Sequence, residues 1–272
     1  MNLLYFSPYW GFENIPFNKF TKKVKSTGYN GLELAMVPGD DGLNASRVAQ
    51  LQKDDLLFIG QPVSPAESDF KLHKAQYEAR LREVAKYNPM FINAQTGKDY
   101  FSFEQNLELL ALAAEVSEET GVKMTHETHR GKFSYSAMVT QVYFSAYPHF
   151  RLCADFSHWC CVSESLLEQQ DEIVQTAVNR SDHIHARVGY EEGIQVPHPG
   201  DKTYAPALKA HMKWWQHIVD VSIRENREYL TITPEFGPPP YMPLMAHTAR
   251  PVADQWEVNE YMLQLLREKL LK

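Results

Sequence analysis

Short apolar runs alternate with segments of helical periodicity along the whole chain. Eight of the runs are typical of buried strands, and each precedes an amphipathic stretch. We predict strands at Leu3–Ser7, Gly31–Met36, Leu56–Gln61, Met90–Gln95, Val122–Glu127, Leu152–Phe156, His183–Arg187 and Leu230–Pro234. The corresponding helices are predicted at Phe17–Ser26, Ala45–Lys53, Lys71–Tyr87, Phe103–Glu119, Tyr135–Tyr147, Leu166–Val178, Pro206–Glu225 and Val258–Leu271.

This alternation predicts an α/β fold. Strands that alternate with helices favour parallel pairing through right-handed crossovers, and eight such units close a (β/α)8 TIM barrel. We therefore expect one barrel domain over residues 1–272. A doubly wound open sheet is the alternative. The segment after the first strand, Ser7-Pro-Tyr-Trp-Gly-Phe12, lacks the glycine-rich phosphate fingerprint that such sheets often carry.

Composition narrows the classes of function. The chain has 272 residues, of which 44% are hydrophobic, and 27 basic against 34 acidic side chains give a net charge of −7. This balance argues against a general nucleic-acid-binding protein. No apolar run is long enough to cross a bilayer, so we expect no membrane partner. Three cysteines, Cys153, Cys160 and Cys161, do not make a disulfide framework, which favours a cytoplasmic location.

Four predicted strands end in residues that bind divalent metals. Glu127, Asp155, His185 and Glu235 terminate strands five to eight. The carboxyl ends of barrel strands share one rim, where active sites of TIM barrels lie. Three carboxylates and one imidazole make a mostly oxygen ligand set. This set is suited to one Mn²⁺, Mg²⁺ or Co²⁺ ion, with Zn²⁺ as a further possibility.

Two further histidines are candidates for the same site. His183 and His185 are two residues apart and so face the same side of a strand. We take His185 as the ligand because it is nearer the rim, and His183 as a supporting or substrate-binding residue. His158 follows Asp155 by three residues. Its imidazole either contacts substrate or only satisfies a backbone carbonyl.

Loop cations surround these acidic residues. Arg130, Lys132, Arg187 and Lys202 follow strand ends, and the hypothesis they support is a substrate with a carboxylate or phosphate. Solvated surface charge is the alternative. Aromatic residues, among them Trp10, also follow strand ends and could stack on a sugar ring, although ordinary packing beneath loops explains them equally well.

The connection after strand seven, residues 188–205, is longer than βα loops usually are. Because it follows a ligand-bearing strand, we interpret it as a lid over the site. A surface insertion without function is the alternative.

At these residues the chain resembles the xylose-isomerase-like TIM-barrel superfamily, the sugar-phosphate isomerases and epimerases. The resemblance rests on His126-Glu-Thr-His-Arg130, Asp155-Phe-Ser-His158, His183-Ile-His185 and Pro234-Glu235, and it extends over the whole chain. It implies that Glu127, Asp155, His185 and Glu235 bind one divalent metal. It also implies that Glu127 and Glu235 are the acid/base pair and that His158 contacts substrate oxygens.

The chain departs from the ketose 3-epimerases of this group at two positions. Those enzymes carry an arginine further into the loop after the metal histidine, where this chain reads Tyr190-Glu-Glu192, and its arginine is Arg187. They also carry an acidic substrate contact where this chain has Lys132-Phe133. The identity of the sugar is therefore left open.

The leading functional hypothesis is a metal-dependent isomerase or epimerase acting on a sugar, sugar acid or related keto-polyol through an enediolate. A dehydratase of the same superfamily is the nearest alternative, because the same enolate can expel a β-hydroxyl. An abasic-site endonuclease and a non-catalytic sugar-binding barrel are weaker alternatives. A homo-oligomer is expected by resemblance alone.

Overall fold

Eight parallel strands close into a barrel in the computed structural model, which describes residues 1–270. Leu271 and Lys272, at the end of the predicted domain and last helix, lie outside the described residues. The strands are β1 (Asn2–Pro8), β2 (Gly31–Met36), β3 (Leu57–Pro62), β4 (Ile92–Ala94), β5 (Met124–Glu127), β6 (Leu152–Ala154), β7 (Ser181–His185) and β8 (Tyr229–Thr233). All eight predicted strands are present.

Pairing between β1 and β8 closes the barrel. Leu3 lies opposite Leu230 and Tyr5 opposite Ile232, in parallel register. Every other pair joins strands that are consecutive in the chain. The predicted (β/α)8 barrel is confirmed, and the open doubly wound sheet is excluded because such a sheet has edges.

Helices form the outer layer and bury their apolar faces against the strands. They are α1 (Phe17–Thr27), α2 (Asp41–Lys53), α3 (Phe70–Ala85), α4 (Phe103–Thr120), α5 (Ala137–Ala146), α6 (Phe156–Val162), α7 (Asp171–Asn179), α8 (Ala205–Arg224) and α9 (Gln255–Lys269). Side-chain caps fix several starts. Asp40 accepts a hydrogen bond from the Leu43 amide, which begins α2 four residues earlier than the sequence pattern predicts.

The prediction was wrong around β6. The strand ends at Ala154 rather than at Phe156, because Asp155 caps the short helix α6 by accepting a hydrogen bond from the Ser157 amide. The helix predicted from Leu166 begins instead at Asp171. Helix α6 buries His158 and Trp159 beside the C-terminal rim of the barrel. The strand-to-helix turn therefore directs residues 155–159 into the interior.

The long connection after β7 packs against the body of the protein. Val188, Ile194 and Val196 are buried, and the Gln195 side chain exchanges two hydrogen bonds with the Gly237 backbone, at 2.7 and 3.2 Å. A short 3-10 helix at Lys202–Tyr204 completes it. Gln195 thus joins this connection to the loop that follows β8. The role of the connection as a lid stays a prediction. Within residues 1–270, no helix combines the length and apolar character that crossing a bilayer requires.

Candidate active site

Four metal-binding side chains converge at the C-terminal rim. Glu127 ends β5, Asp155 follows β6, His185 ends β7, and Glu235 lies two residues after β8. One ligand atom from each lies within 4.8 Å of the others, and all four side chains are buried. Strand direction alone brings these residues together, since parallel strands present their carboxyl ends at one edge. We refer to these four residues as the quartet.

The imidazole of His185 is oriented by a glutamate from the far side of the barrel. Its Nε2 lies 3.0 Å from both carboxylate oxygens of Glu33, on β2. Its Nδ1 faces the rim, 2.8 Å from Glu235 Oε2 and 3.5 Å from Glu127 Oε1. Neither contact of Nδ1 has hydrogen-bond geometry. Nδ1 therefore points into the space that the quartet carboxylates enclose.

Sequence reasoning missed Glu33. Its carboxylate is buried and also accepts hydrogen bonds from Thr233 at 2.7 Å, Asn93 at 2.8 Å and Gln61 at 2.9 Å. A signal was available, because a glutamate in the middle of the apolar strand Gly31-Leu-Glu-Leu-Ala-Met36 must find polar partners inside the barrel.

His183 lies below the quartet. Its Nε2 is 3.2 Å from Glu33 Oε2, and its Nδ1 is 2.8 Å from Thr231 Oγ1. The ring packs edge-on against Phe91, with centroids 5.3 Å apart. In this position His183 contacts Glu33. It is not among the residues that line the cavity, whereas Glu127 and Glu235 are. Substrate contact by His183 stays an untested prediction.

Arg187 is the one cation in contact with the quartet within residues 1–270. Its guanidinium is buried, donates to Asp155, and lies 2.9 Å from Glu235 Oε2. Its carbon Cζ stands 4.9 Å from the centre of the Tyr241 ring and 5.9 Å from that of Trp10. The buried Nη1 has no partner. Arg187 thus lies at the quartet with one donor group uncommitted, and its contact with substrate stays a prediction.

The two rim glutamates have opposite electrostatic environments. Burial alone would raise the pKa of Glu127, but the neighbouring His185, His129 and Arg187 outweigh it and lower that pKa to about 2. Burial raises the pKa of Glu235, against the opposing effects of His185 and Arg187. Paired carboxyl groups with divergent pKa values are typical of acid/base sites.

His158 lies beside Asp155. Its Nε2 is 3.7 Å from Asp155 Oδ2, and neither ring nitrogen has a hydrogen-bond partner. Its ring centroid is 3.9 Å from that of His129. Burial lowers the pKa of His158 well below its ordinary value, so the imidazole is neutral at pH 7. A neutral, unpartnered imidazole can accept or donate a hydrogen bond to a sugar hydroxyl.

A cavity of about 600 Å³ opens above the quartet. The residues that line it include Glu127, Glu235 and Arg187 from the quartet region, and Tyr9, Trp10, Glu13, Arg47, Gln61, Ser64, Asn93, Gln95, His129 and Tyr241. Trp10 packs edge-on to Tyr241, with centroids 4.9 Å apart. It also covers Gly237, where a Cβ would lie 2.1 Å from the indole, so only glycine permits this contact.

The remaining predicted cations are placed differently. Arg130 Cζ lies 5.4 Å from the centre of the Tyr241 ring, at the cavity mouth. Lys132 is buried and its Nζ donates to Ser64 Oγ. Lys202 is exposed on the 3-10 helix of the long loop. A second cavity, of about 520 Å³, lies at the opposite end of the barrel around Phe91, Arg151 and Asp182.

Comparison with solved structures gives the fold a context. A 3-keto-D-glucoside 4-epimerase from E. coli superposes with a TM-score of 0.60 at 13% identity, covering 98% of this chain and 100% of that one. A xylose isomerase-like TIM-barrel protein from Mycobacterium smegmatis, solved with magnesium, gives 0.63 at 10%, covering 98% and 97%. This chain has the fold of the xylose-isomerase-like barrels. The predicted resemblance is confirmed at the level of the fold.

Two other structures with this barrel differ in activity. A D-allulose 3-epimerase from Methylomonas sp., in complex with D-allulose, has a TM-score of 0.61 at 14% identity and covers 98% and 97% of the two chains. A probable 3-DHS dehydratase from Bacillus anthracis has 0.60 at 14%, with 98% and 99% coverage. No protein-family model matches the sequence. No curated protein matches it either. At sequence identities of 10–14%, these structures share the architecture of this chain, and its reaction depends on the residues of its own site.

Proposed function

We propose that the protein is a divalent-metal-dependent isomerase or epimerase of a sugar or sugar derivative. The observation that carries this proposal is the quartet, with three carboxylates and an imidazole nitrogen gathered within 4.8 Å in a buried site at the rim. Solved structures of the same fold include sugar epimerases, which supports a carbohydrate substrate.

The charges at the quartet fit a divalent cation. Glu127, Asp155 and Glu235 together would carry three negative charges, and Arg187 balances one of them. Buried charges are generally paired or bind metals. Nδ1 of His185, which has no hydrogen-bond partner, adds one nitrogen to the three carboxylates. This mostly oxygen ligand set is suited to Mn²⁺, Mg²⁺ or Co²⁺, with Zn²⁺ possible. When bound, such an ion polarises a carbonyl and so acidifies the adjacent C–H.

Glu127 and Glu235 are the proposed proton-transfer pair. The lowered pKa of Glu127 keeps its carboxylate ionised at pH 7, which is the form that a metal ligand and a proton acceptor both require. The raised pKa of Glu235 favours a group that can return one. His158 and Arg187 Nη1, which have no partners of their own, would bind substrate oxygens, and Trp10 would cover the sugar and exclude water.

Incubation with ketoses, ketose derivatives and Mn²⁺ in D₂O tests this proposal. We expect solvent deuterium at the carbon next to the carbonyl of the true substrate, with no change in mass other than the exchange. Glu127→Gln and Glu235→Gln should each slow the exchange by about 10²–10⁴-fold. Full activity in either variant would exclude that residue as an acid or base.

A dehydratase is the second candidate, because a probable dehydratase shares this fold. It would use the same proton abstraction and then lose a β-hydroxyl. Product mass separates the two, since only the dehydratase product is lighter by one water. An endonuclease has less support, since the net charge of −7 argues against a nucleic-acid substrate. A non-catalytic barrel has less support because four metal-binding side chains converge at the rim.

A further inference from the structure

A buried lysine lies beside the cavity with no carboxylate to balance it. Lys132, in the loop after β5, is only 7% exposed. Its Nζ donates to the hydroxyl of Ser64, and Ser64 lines the cavity together with Glu127 and Gln95. The ammonium group therefore reaches the wall of the site from behind Ser64.

The charge of Lys132 is not neutralised locally. Within residues 1–270, no ion pair within 4.0 Å joins a carboxylate to Lys132. Burial, and then Lys98, lower the pKa of Lys132 to about 8, against weaker opposing effects of Glu127 and Asp99. A buried ammonium group that has a hydroxyl but no carboxylate as its partner costs free energy, and this marks the position of Lys132 as a candidate anion site.

The position of Lys132 is fixed by the backbone around it. Its amide donates to the carbonyl of His129 at 3.2 Å, and the Phe133 amide donates to the carbonyl of Thr96, in the loop after β4, at 3.3 Å. The loops carrying Lys98 and Lys132 are thus tied together. These hydrogen bonds hold the backbone from which the buried Lys132 side chain extends toward Ser64.

Arg187 is less suited to bind an anion. Its charge is already balanced by Asp155 and Glu235, which both contact its guanidinium. Arg47, the other arginine of the cavity wall, lies over the rings of Tyr9 and Phe17. Within residues 1–270, the partner of Lys132 is the Ser64 hydroxyl, and neither an ion pair nor an aromatic ring balances its charge.

We propose that the substrate carries an anionic group, a carboxylate or a phosphate, which Lys132 and Ser64 bind while Lys98 adds positive charge. The inference rests on the proposed function and narrows its substrate class to sugar acids or sugar phosphates. The carbonyl end of the substrate would face the quartet, and the anionic end would face the loops after β3, β4 and β5. We call Lys132, Ser64 and Lys98 the anion site.

Calorimetric titration of the full-length, Mn²⁺-loaded protein at pH 7 tests the anion site. The three probes are D-glucuronate, D-glucose 6-phosphate and the neutral D-glucose. We expect the wild type to bind at least one anionic probe about tenfold to a hundredfold more tightly than D-glucose. The tighter of the two anions identifies carboxylate or phosphate as the preferred group.

Variants assign the preference to Lys132. Lys132→Gln should abolish it while leaving D-glucose and Mn²⁺ affinities unchanged, and Lys209→Gln, on the exposed face of α8, should keep it. Lys98→Gln should reduce it and provides a second test if Lys132→Gln fails to fold. Equal binding of all three probes by the wild type, no binding of any, or a preference that survives in both lysine variants would overturn the proposal.

The outcomes separate this inference from the proposed function. A Lys132-dependent preference without deuterium exchange on any ketose would leave the anion site standing and refute the isomerase. Deuterium exchange on a neutral ketose, with no preference for the anionic probes, would support the isomerase and refute the anion site.

Discussion

Both carboxylate oxygens of Glu33 lie 3.0 Å from Nε2 of His185, across the interior of the barrel from β2 to β7. This contact fixes which nitrogen of the imidazole faces the rim. A histidine that donates one N–H to a carboxylate presents the other nitrogen, unprotonated, to a metal. Glu33 lies beneath the quartet and is not a member of it, but it sets the orientation of the quartet residue His185.

Glu33→Gln should weaken metal binding without removing a ligand. The amide keeps the size of the side chain but loses the charge that holds the His185 N–H. Loss of such a supporting group typically lowers metal affinity by about 10–100-fold. Calorimetric titration with Mn²⁺ measures the effect. Glu118→Gln, at an exposed position on α4, is the matched control and should bind Mn²⁺ like the wild type. Equal affinity in all three proteins would show that Glu33 does not act on the metal.

Arg187→Gln should make the metal-free protein less stable and more responsive to metal. Removing the guanidinium leaves the buried Asp155 and Glu235 unpaired, a change that typically costs about 3–5 kcal/mol. Adding Mn²⁺ should then raise the free energy of unfolding of the variant by more than it raises that of the wild type. Urea denaturation with and without Mn²⁺ checks both effects. Arg82→Gln, which removes two solvent-accessible ion pairs, one with Glu78 on α3 and one with Glu119 on α4, should change little in either condition.

Binding of an anionic sugar should weaken as the pH rises through 8. Lys132 binds the anion only when protonated, and its pKa is about 8 in the folded protein. The affinity should therefore be constant below that pH and fall by about tenfold per pH unit well above it. Titrations with D-glucuronate from pH 6.5 to 9.5 measure the profile. D-glucose should show a flat profile over this range, and a flat profile for both sugars would contradict the role given to Lys132.

Acid should destabilise the protein partly through His126. Burial against Phe133 and Phe150 lowers its pKa from 6.5 to about 4. The unfolded chain therefore binds a proton that the folded protein excludes between these values, and stability falls as the pH decreases from 6.5 to 4. The shift corresponds to about 3 kcal/mol. His126→Gln should reduce the slope of unfolding free energy against pH in this interval, whereas His149→Gln, at an exposed position, should not. Identical slopes would exclude His126 as a source.

The sequence was sufficient to predict the barrel, because every unit follows one simple pattern. Each apolar run from Leu3 to Thr233 lies within a few residues of an observed strand, and parallel strand ends necessarily share a rim. For this reason the sequence predicts that four residues at strand ends lie together, namely Glu127, Asp155, His185 and Glu235. The prediction depends only on the position of each residue relative to the end of its strand.

The remaining features depend on contacts between distant parts of the chain. Glu33 lies 152 residues from His185, and only the closed barrel brings them together. Helix α6 begins where the Asp155 side chain caps a backbone amide, which competes locally with continuation of the strand. The length of the loop after β7 could be predicted from the sequence, but the hydrogen bonds of Gln195 to Gly237 join residues 42 positions apart and could not. The burial of Lys132 likewise follows from packing between loops.

Metal stoichiometry at the quartet tests the central claim most directly. Calorimetric titration of the metal-free protein with Mn²⁺ should show one site per chain. Asp155→Asn and His185→Gln should each weaken that site by at least about tenfold, and Glu172→Gln, at an exposed position on α7, should leave it unchanged. Absence of Mn²⁺ binding to the wild type, or binding that both quartet variants retain in full, would contradict the account.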